Sequence, residues 1–213
     1  MGDLVLWGAG GHGKVVFDVA RAMGVFKKIS FIDDVCGEQA REFCACQVLA
    51  AGRYLQSLKR KGRAQYLASI GNNKMRAACF QRALENGLHP VTLVHPSAVV
   101  SESARLEDGT VVMARVVINA GAQIGRNCIL NTAAVVEHDC RIGDHVHLSP
   151  GVLLGGGVTV RSFAHVGIGA IALPGAEIGE GAIVGAGAVV LDSVPSGATV
   201  VGIPARALAG ANR

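Results

Sequence analysis

Aromatic residues are scarce in this chain, at 4% of the total, which excludes a core built from large interlocking rings. The six cysteines (Cys36, Cys44, Cys46, Cys79, Cys128 and Cys140) make no paired CxxC pattern. No secretory leader is recognisable ahead of them, so free thiols in the cytoplasm are expected. No run of about 18 apolar residues escapes interruption by Gly, Asn or a charge, and no membrane-spanning helix is expected. Charge of one sign is also lacking, the formal net charge being +4. Its one basic cluster, Lys59, Arg60, Lys61 and Arg63 at the end of a predicted helix, has no interleaved aromatics and reads as a solvated face rather than a nucleic-acid patch.

What is plentiful is glycine, with 29 residues, in a chain that is half hydrophobic. Small and branched aliphatic side chains packed in regular layers are the natural core for such a composition. At 213 residues the chain can bury one large core or two small ones.

The second half carries a repeat. Stepping by six from Val94 meets Val100, Leu106, Val112, Ile118 and Ile124, and continues aliphatic to Val184 and Val190. Four residues after each of these stands a small or β-branched side chain, from Ala98 and Ala104 through Cys128 and Cys140 to Ala188 and Val194. Two locked positions in a period of six fit neither an α-helix nor an ordinary strand. They fit a triangular prism, in which each hexapeptide makes one short strand and one corner and three make a coil of about 18 residues. The aliphatic residue points inward and the small one fills the corner. Gly125, Gly143, Gly179 and Asn127 are expected at turns that need positive φ. The in-phase stretch from Val94 to Pro195 is 102 residues, between five and six coils, with no loop expected to interrupt them.

The first half alternates strand and helix signals. Leu4 to Trp7 reads as a buried strand, Gly8 to Gly13 as a tight turn and Lys14 to Met23 as a helix. Lys28 to Phe31 reads as a second strand ending at Asp33 and Asp34. Leu49 to Lys61 is then predicted helical, Gln65 to Ile70 extended, Lys74 to Glu85 helical and Val91 to Val94 extended. This is a small α/β domain with a parallel sheet. Gly8, Gly10 and Gly13 match GxGxxG, and Asp33 lies 20 residues beyond Gly13, as in a dinucleotide fingerprint. With about 90 residues the domain holds one mononucleotide-binding half, so a single nucleotide fits better than NAD. A diphosphate would sit on the helix N-terminus, and Asp33 or Asp34 would accept hydrogen bonds from a base or ribose. The competing reading is a glycine turn serving close packing alone.

Chemistry is expected at His138. It lies two residues past the inward Val136, hence outside the prism, between Glu137 and Asp139. One coil on stands Gly156, where a bare amide could meet a ligand. Neutral His138 can take a proton from a nucleophile, Asp139 can orient the ring, and the Gly156 amide can hold an oxyanion. Cys140, in a corner position, reads as packing. His147 and His165 differ by 18 and should stack, and zinc would want a third ligand that is not evident.

The order GAGGHGKVV, FIDD, SIGNN, HPSA, NTAAVVEHDC with RIGDHVHLSPGV, and VVGIPAR is very similar to the bacterial sugar O-acyltransferase family. That family comprises sialic acid O-acetyltransferases and nucleotide-sugar 4-amino N-acetyltransferases, and the resemblance spans nearly the whole chain. It implies an α/β nucleotide-sugar domain over 1–93 and a left-handed parallel β-helix with a C-terminal tail over 94–213. It implies that His138 is the general base assisted by Asp139. The aspartate is one methylene shorter than the glutamate of some relatives, which puts a direct hydrogen bond in question. The resemblance further implies nucleotide-sugar contacts at Gly10, Gly11, His12, Asp33 and Asp34, with the sugar near Asn131. Acetyl-CoA would lie between two subunits near His147, Gly156, Ile168, Ala186 and the Gly202-Ile203-Pro204 segment. Flat triangular faces favour a homotrimer with clefts between neighbours. Acetyl transfer from acetyl-CoA to the 4-amino group of a nucleotide-linked deoxyamino sugar is the expected reaction, with no metal. O-acetylation of a sugar hydroxyl, a zinc carbonic anhydrase and a non-catalytic sugar-nucleotide-binding protein remain as alternatives.

Overall fold

A computed structural model of the chain describes residues 2–35, 41–61 and 64–208. Cys36 and Arg63 lie outside the described residues, as do the side chains of Lys59, Arg60 and Lys61. In the first domain β1 (Leu4–Trp7) is central, β2 (Ile29–Asp33), β3 (Arg41–Phe43) and β4 (Cys46–Ala50) lie to one side, and β5 (Gln65–Ala68) and β6 (His89–Pro90) to the other, in the order β3-β4-β2-β1-β5-β6. Three helices connect them: α1 (Gly11–Met23), α2 (Ala51–Lys61) and α3 (Asn73–Glu85). Every residue of β1 is buried, the pattern of a strand covered on both faces. In α1 the apolar stripe of Val16, Phe17, Val19 and Ala20 is buried, as a one-sided helix requires.

The sheet is mixed rather than wholly parallel, because β3 runs antiparallel to β4. Leu49 and Ala50 end that strand instead of starting α2. The hairpin turns on Cys44 and Ala45, both at positive φ. Two such residues make the tight connection that strand twist favours, and without Asn-Gly they carry no visible signal.

The second domain is a parallel β-helix with three sheets of two-residue strands, the first of which ends on Thr199–Val201 and an antiparallel Arg206–Ala207. The first face stacks Leu93–Val94, Val111–Val112, Ile129–Leu130, His147–Leu148, His165–Val166 and Ile183–Val184. The second face runs from Val99–Val100 to Val189–Val190 and the third from Arg105–Leu106 to Ser193–Val194. The inward aliphatic column from Val112 to Val190 is buried throughout, and each such side chain contributes roughly 1.5–3 kcal/mol.

The expected phase fails once. Ile178 pairs with Val194 and Val184 with Val200, a step of 16 rather than 18, so Val194 takes the inward strand position and not a corner. The turn between Val190 and Ser193 is two residues short, and Pro195, which has no N–H for a ladder, falls in the following turn. The reason given for three glycines also fails. Asn127 is at φ 53, but Gly125, Gly143 and Gly179 are not at positive φ. A Cβ on any of them would come within 2.4–2.6 Å of the next coil's corner, so close stacking is what excludes a side chain there.

Candidate active site

His138 and Asp139 occupy the corner between the second and third faces. His138 is 63% exposed and its Nδ1 lies 2.9 Å from Asp139 Oδ2, so the shorter aspartate does reach the ring. A carboxylate only accepts, so Nδ1 carries the proton and Nε2 is left with a free lone pair. Asp139 is held at φ 59, a left-handed conformation that Asp tolerates better than most residues and that brings its side chain back beside the ring.

Two glycines make room for this pair. A Cβ on Gly156, one coil on, would stand 2.5 Å from His138 Nε2 and 2.6 Å from Cε1. A Cβ on Gly121, one coil back, would stand 2.6 Å from Asp139 Oδ1. Gly121 was missed in the sequence, although its 18-residue offset from Asp139 mirrors that of Gly156 from His138. The Gly156 N–H donates to no acceptor among the described residues. Cys140 is buried beneath with Sγ 3.2 Å from the Gly155 carbonyl oxygen, and burial pushes its thiol pKa up.

A cavity of about 300 Å³ opens at the carboxyl ends of β1, β2 and β5. Gly10, Gly11, His12, Asp33 and Asp34 all line it, with Trp7 and Met75. The three fingerprint glycines divide the work. Gly8 is at φ 120, and a Cβ on Gly13 would stand 2.4 Å from the Gly8 carbonyl oxygen, whereas Gly10 faces open space. The first bends the turn, the third lets helix meet strand, and the second leaves the N-terminus of α1 bare for an anion. The two aspartates are already engaged. Asp33 accepts from the Ala9 and Val35 amides at 2.8 and 2.9 Å, while Asp34 accepts from Trp7 Nε1 at 3.1 Å and pairs with Arg82 at 2.7 Å. They shape the turn as well as offering remaining lone pairs to a ligand.

A seam of imidazoles joins the domains. His147 stacks on His165 with centroids 4.8 Å apart and planes 2° from parallel. On its other side is His12, 6.1 Å away, whose Nε2 is buried without a partner among the described residues. His147 Nδ1 donates to the Gly71 carbonyl at 3.2 Å, and its Nε2 accepts from Asn131 at 3.3 Å. Burial first, and then the charge of Arg76, hold His12 down to about 4. Burial above all, with His165 and Arg76 adding to it, holds His147 down to about 3. His147 is therefore a fixed neutral hydrogen-bonding group. Among the described residues no three His, Cys, Asp or Glu side chains converge as a metal site would require.

The seam has a consequence for acid stability. Unfolded imidazoles bind protons below about pH 6.5, whereas His12 and His147 do so only at about 4 and about 3 in the folded chain. Between those values the unfolded state holds more protons, so stability is full above about pH 6.5 and is lost as pH falls toward 4. Each unit of difference is worth about 1.4 kcal/mol. The melting temperature is expected to drop steeply over that window, and His147→Gln to flatten part of the slope. A wild-type melting curve unchanged from pH 7 to 4 would refute the argument.

Within one chain these parts are not all brought together. The first domain sits on the first face and its adjoining corner, through Gly71 to His147, Arg76 to the carbonyls of Asn127 and His145, and Asn73 to those of Phe163 and Ala164. His138 is on the vertex opposite that face. Asn131, Ile168 and Ala186 stack along the corner between the first and second faces, where Ile168 is 61% exposed. The turn Gly202–Pro204 continues it, with Val189 N–H donating to the Gly202 carbonyl. Gly156 is on the His138 corner and His147 is buried in the seam.

Residues 3–83 match the PglD N-terminal domain and residues 121–156 the bacterial transferase hexapeptide, with six repeats. PerB from Caulobacter crescentus, solved in complex with CoA and GDP-perosamine, is 39% identical over 98% of both chains with a TM-score of 0.91. The acetyltransferase domain of PglB from Neisseria gonorrhoeae FA1090, solved with acetyl coenzyme A, is 38% identical over 97% of this chain and 98% of that one, with a TM-score of 0.90. UDP-N-acetylbacillosamine N-acetyltransferase of Bacillus subtilis (strain 168) is 39% identical over 116 residues. That match spans about half the length of the curated relative, 52%, and 54% of this chain.

Proposed function

We propose an activity for this chain from one premise: it belongs to the PglD-type nucleotide-sugar N-acetyltransferases with a hexapeptide-repeat β-helix domain. The activity is transfer of acetyl from acetyl-CoA to the 4-amino group of a nucleotide-linked deoxyamino sugar. The observation that carries it is the His138 ring, held by Asp139 through Nδ1 with Nε2 left free, and seated in the slot that Gly156 clears.

The amine attacks the thioester carbonyl while Nε2 of His138 removes a proton from the attacking nitrogen. Asp139 stabilises the imidazolium that results. The carbonyl oxygen, now negative, is met by the unengaged N–H of Gly156. Collapse breaks the carbon–sulfur bond, and the imidazolium returns the proton to the departing thiolate. The nucleotide end of the acceptor lies over Gly10 and Gly11, with the base or ribose toward Asp33 and Asp34, His12 beneath and the sugar toward Asn131.

Because the nucleotide cavity and His138 lie at opposite sides of the prism, one site needs two chains. The outward column of the second face supplies the means, for it is wholly aliphatic: Val99, Val117, Val135, Leu153, Ile171 and Val189, with Val99 63% and Leu153 43% exposed. The third face presents Arg105, Gln123, Arg141, Thr159, Glu177 and Ser193, a surface suited to water. A homotrimer built on the second face covers the apolar column and brings the His138 corner of one protomer toward the Asn131 and Ile168 corner of the next. Acetyl-CoA lies in that cleft, along Ile168, Ala186 and the Gly202–Pro204 turn, with Gly156 across it and the thioester end toward His147.

Acetyl-CoA turnover against a panel of UDP-, GDP- and dTDP-linked 4-amino sugars, with free sialic acid alongside, tests this reading. One nucleotide-linked amine is expected to be acetylated far faster than the rest. Turnover confined to a hydroxyl acceptor, or none with any amine, would overturn it.

A further inference from the structure

Arg76 is the one cation among the described core residues, 1% exposed, and among the described residues no carboxylate lies within hydrogen-bond reach of it. Its guanidinium is satisfied almost wholly by carbonyl oxygens from two domains. Nε donates to Asn127 at 2.9 Å, Nη2 to His145 at 2.8 Å and to Asn73 Oδ1 at 2.9 Å, and Nη1 to Ile70 at 3.2 Å and Gly71 at 3.3 Å. Burying a charge without a counter-charge is costly. A residue that served packing alone would be better apolar.

The two acceptors on its near side explain the arrangement. Ile70 and Gly71 form a wall of the nucleotide cavity. The Gly71 carbonyl also accepts from His147 Nδ1, and His147 Nε2 accepts in turn from Asn131. One carbonyl thus links the cavity wall to the side chains beside which the sugar is placed, and Arg76 clamps that carbonyl to the prism corner. Asn73 extends the clamp by donating to Phe163 and Ala164 one coil further on.

We infer that Arg76 is a positioning residue for acetyl transfer, fixing the 70–71 wall of the nucleotide cavity in register with the β-helix and so setting where the acceptor amine lies. The inference rests on the function proposed above. Lysine cannot substitute, because only the planar fork reaches carbonyls of three separate segments at once. Misplacement by about 1 Å is enough to lower turnover a hundredfold.

The test uses Arg76→Lys, Arg76→Met and Asn73→Ala in the full chain, with each substrate varied in steady-state kinetics and UDP or GDP binding followed by calorimetry. For Arg76→Lys the KM of the nucleotide sugar is expected to rise about tenfold, and for Arg76→Met further. The KM of acetyl-CoA should stay within about twofold, with nucleoside diphosphate affinity falling in parallel. Asn73→Ala should move the same quantities in the same direction by less, and it keeps the test open if Arg76→Met does not fold. Folded variants that lose melting temperature while keeping wild-type nucleotide-sugar KM and nucleotide affinity would overturn the inference. If wild type acetylates no nucleotide-linked amine, the proposed function fails, while the calorimetric comparison still decides whether Arg76 fixes the 70–71 wall for a nucleoside diphosphate.

Discussion

Replacing His138 by alanine is expected to lower kcat by about a hundredfold or more, with the KM values of both substrates little changed. The side chain is 63% exposed and supports nothing in the core, so the fold should survive its loss. In the mechanism proposed above its contribution is confined to the transition state, where the attacking amine must shed a proton as the carbon–nitrogen bond forms. An interaction made only there appears in kcat and kcat/KM together and leaves binding alone. Equal activity in His138→Ala and wild type would remove the general base from the mechanism, and a matching rise in the acetyl-CoA KM would recast the ring as a binding group.

Gly156→Ala is expected to be nearly as damaging, although it adds only one methyl group. The backbone there is not at positive φ, so alanine is conformationally acceptable. What it meets is the His138 ring, at 2.5 Å from Nε2 and 2.6 Å from Cε1. The ring must swing away, giving up either the 2.9 Å hydrogen bond to Asp139 or its seat in the slot. A loss of about a hundredfold in kcat follows from such a displacement. Because the ring has solvent to swing into, the melting temperature should scarcely move. That divergence is the check: a Gly156→Ala protein with wild-type turnover would mean that the slot has no part in catalysis.

The prism was legible because its rule is short-range and strict. Inward Val, Ile and Leu every six residues leave no other regular structure available, and the rule located His138 outside the core from its distance to Val136. It broke where two residues are missing before Ser193, since Val194 is aliphatic enough to satisfy either of two positions. Gly125, Gly143 and Gly179 were recognised as obligatory and explained wrongly, for a period cannot distinguish a glycine that bends the chain from one that clears the next coil. In the first domain, Gly8, Gly10 and Gly13 revealed the turn, yet the Cys44-Ala45 hairpin stayed hidden because neither residue advertises positive φ. Least legible was the seam. Arg76 stands in α3 between Met75 and Ala77, and nothing local says that its side chain threads between carbonyls of Asn127 and His145, 51 and 69 residues away. His12 was expected at the nucleotide site and His147 near acetyl-CoA. That the two rings face each other across a domain boundary is a fact of tertiary structure alone.

The homotrimer proposed above gives the placement of His138, on the vertex opposite the first domain, a genetic corollary. In a closed ring of three identical chains each protomer lends its base to one cleft and its cradle to another. A chain defective in both parts would silence two clefts of a mixed ring and leave one working. Such an allele would act dominantly, poisoning the normal copies with which it assembles in proportion to its share of the pool.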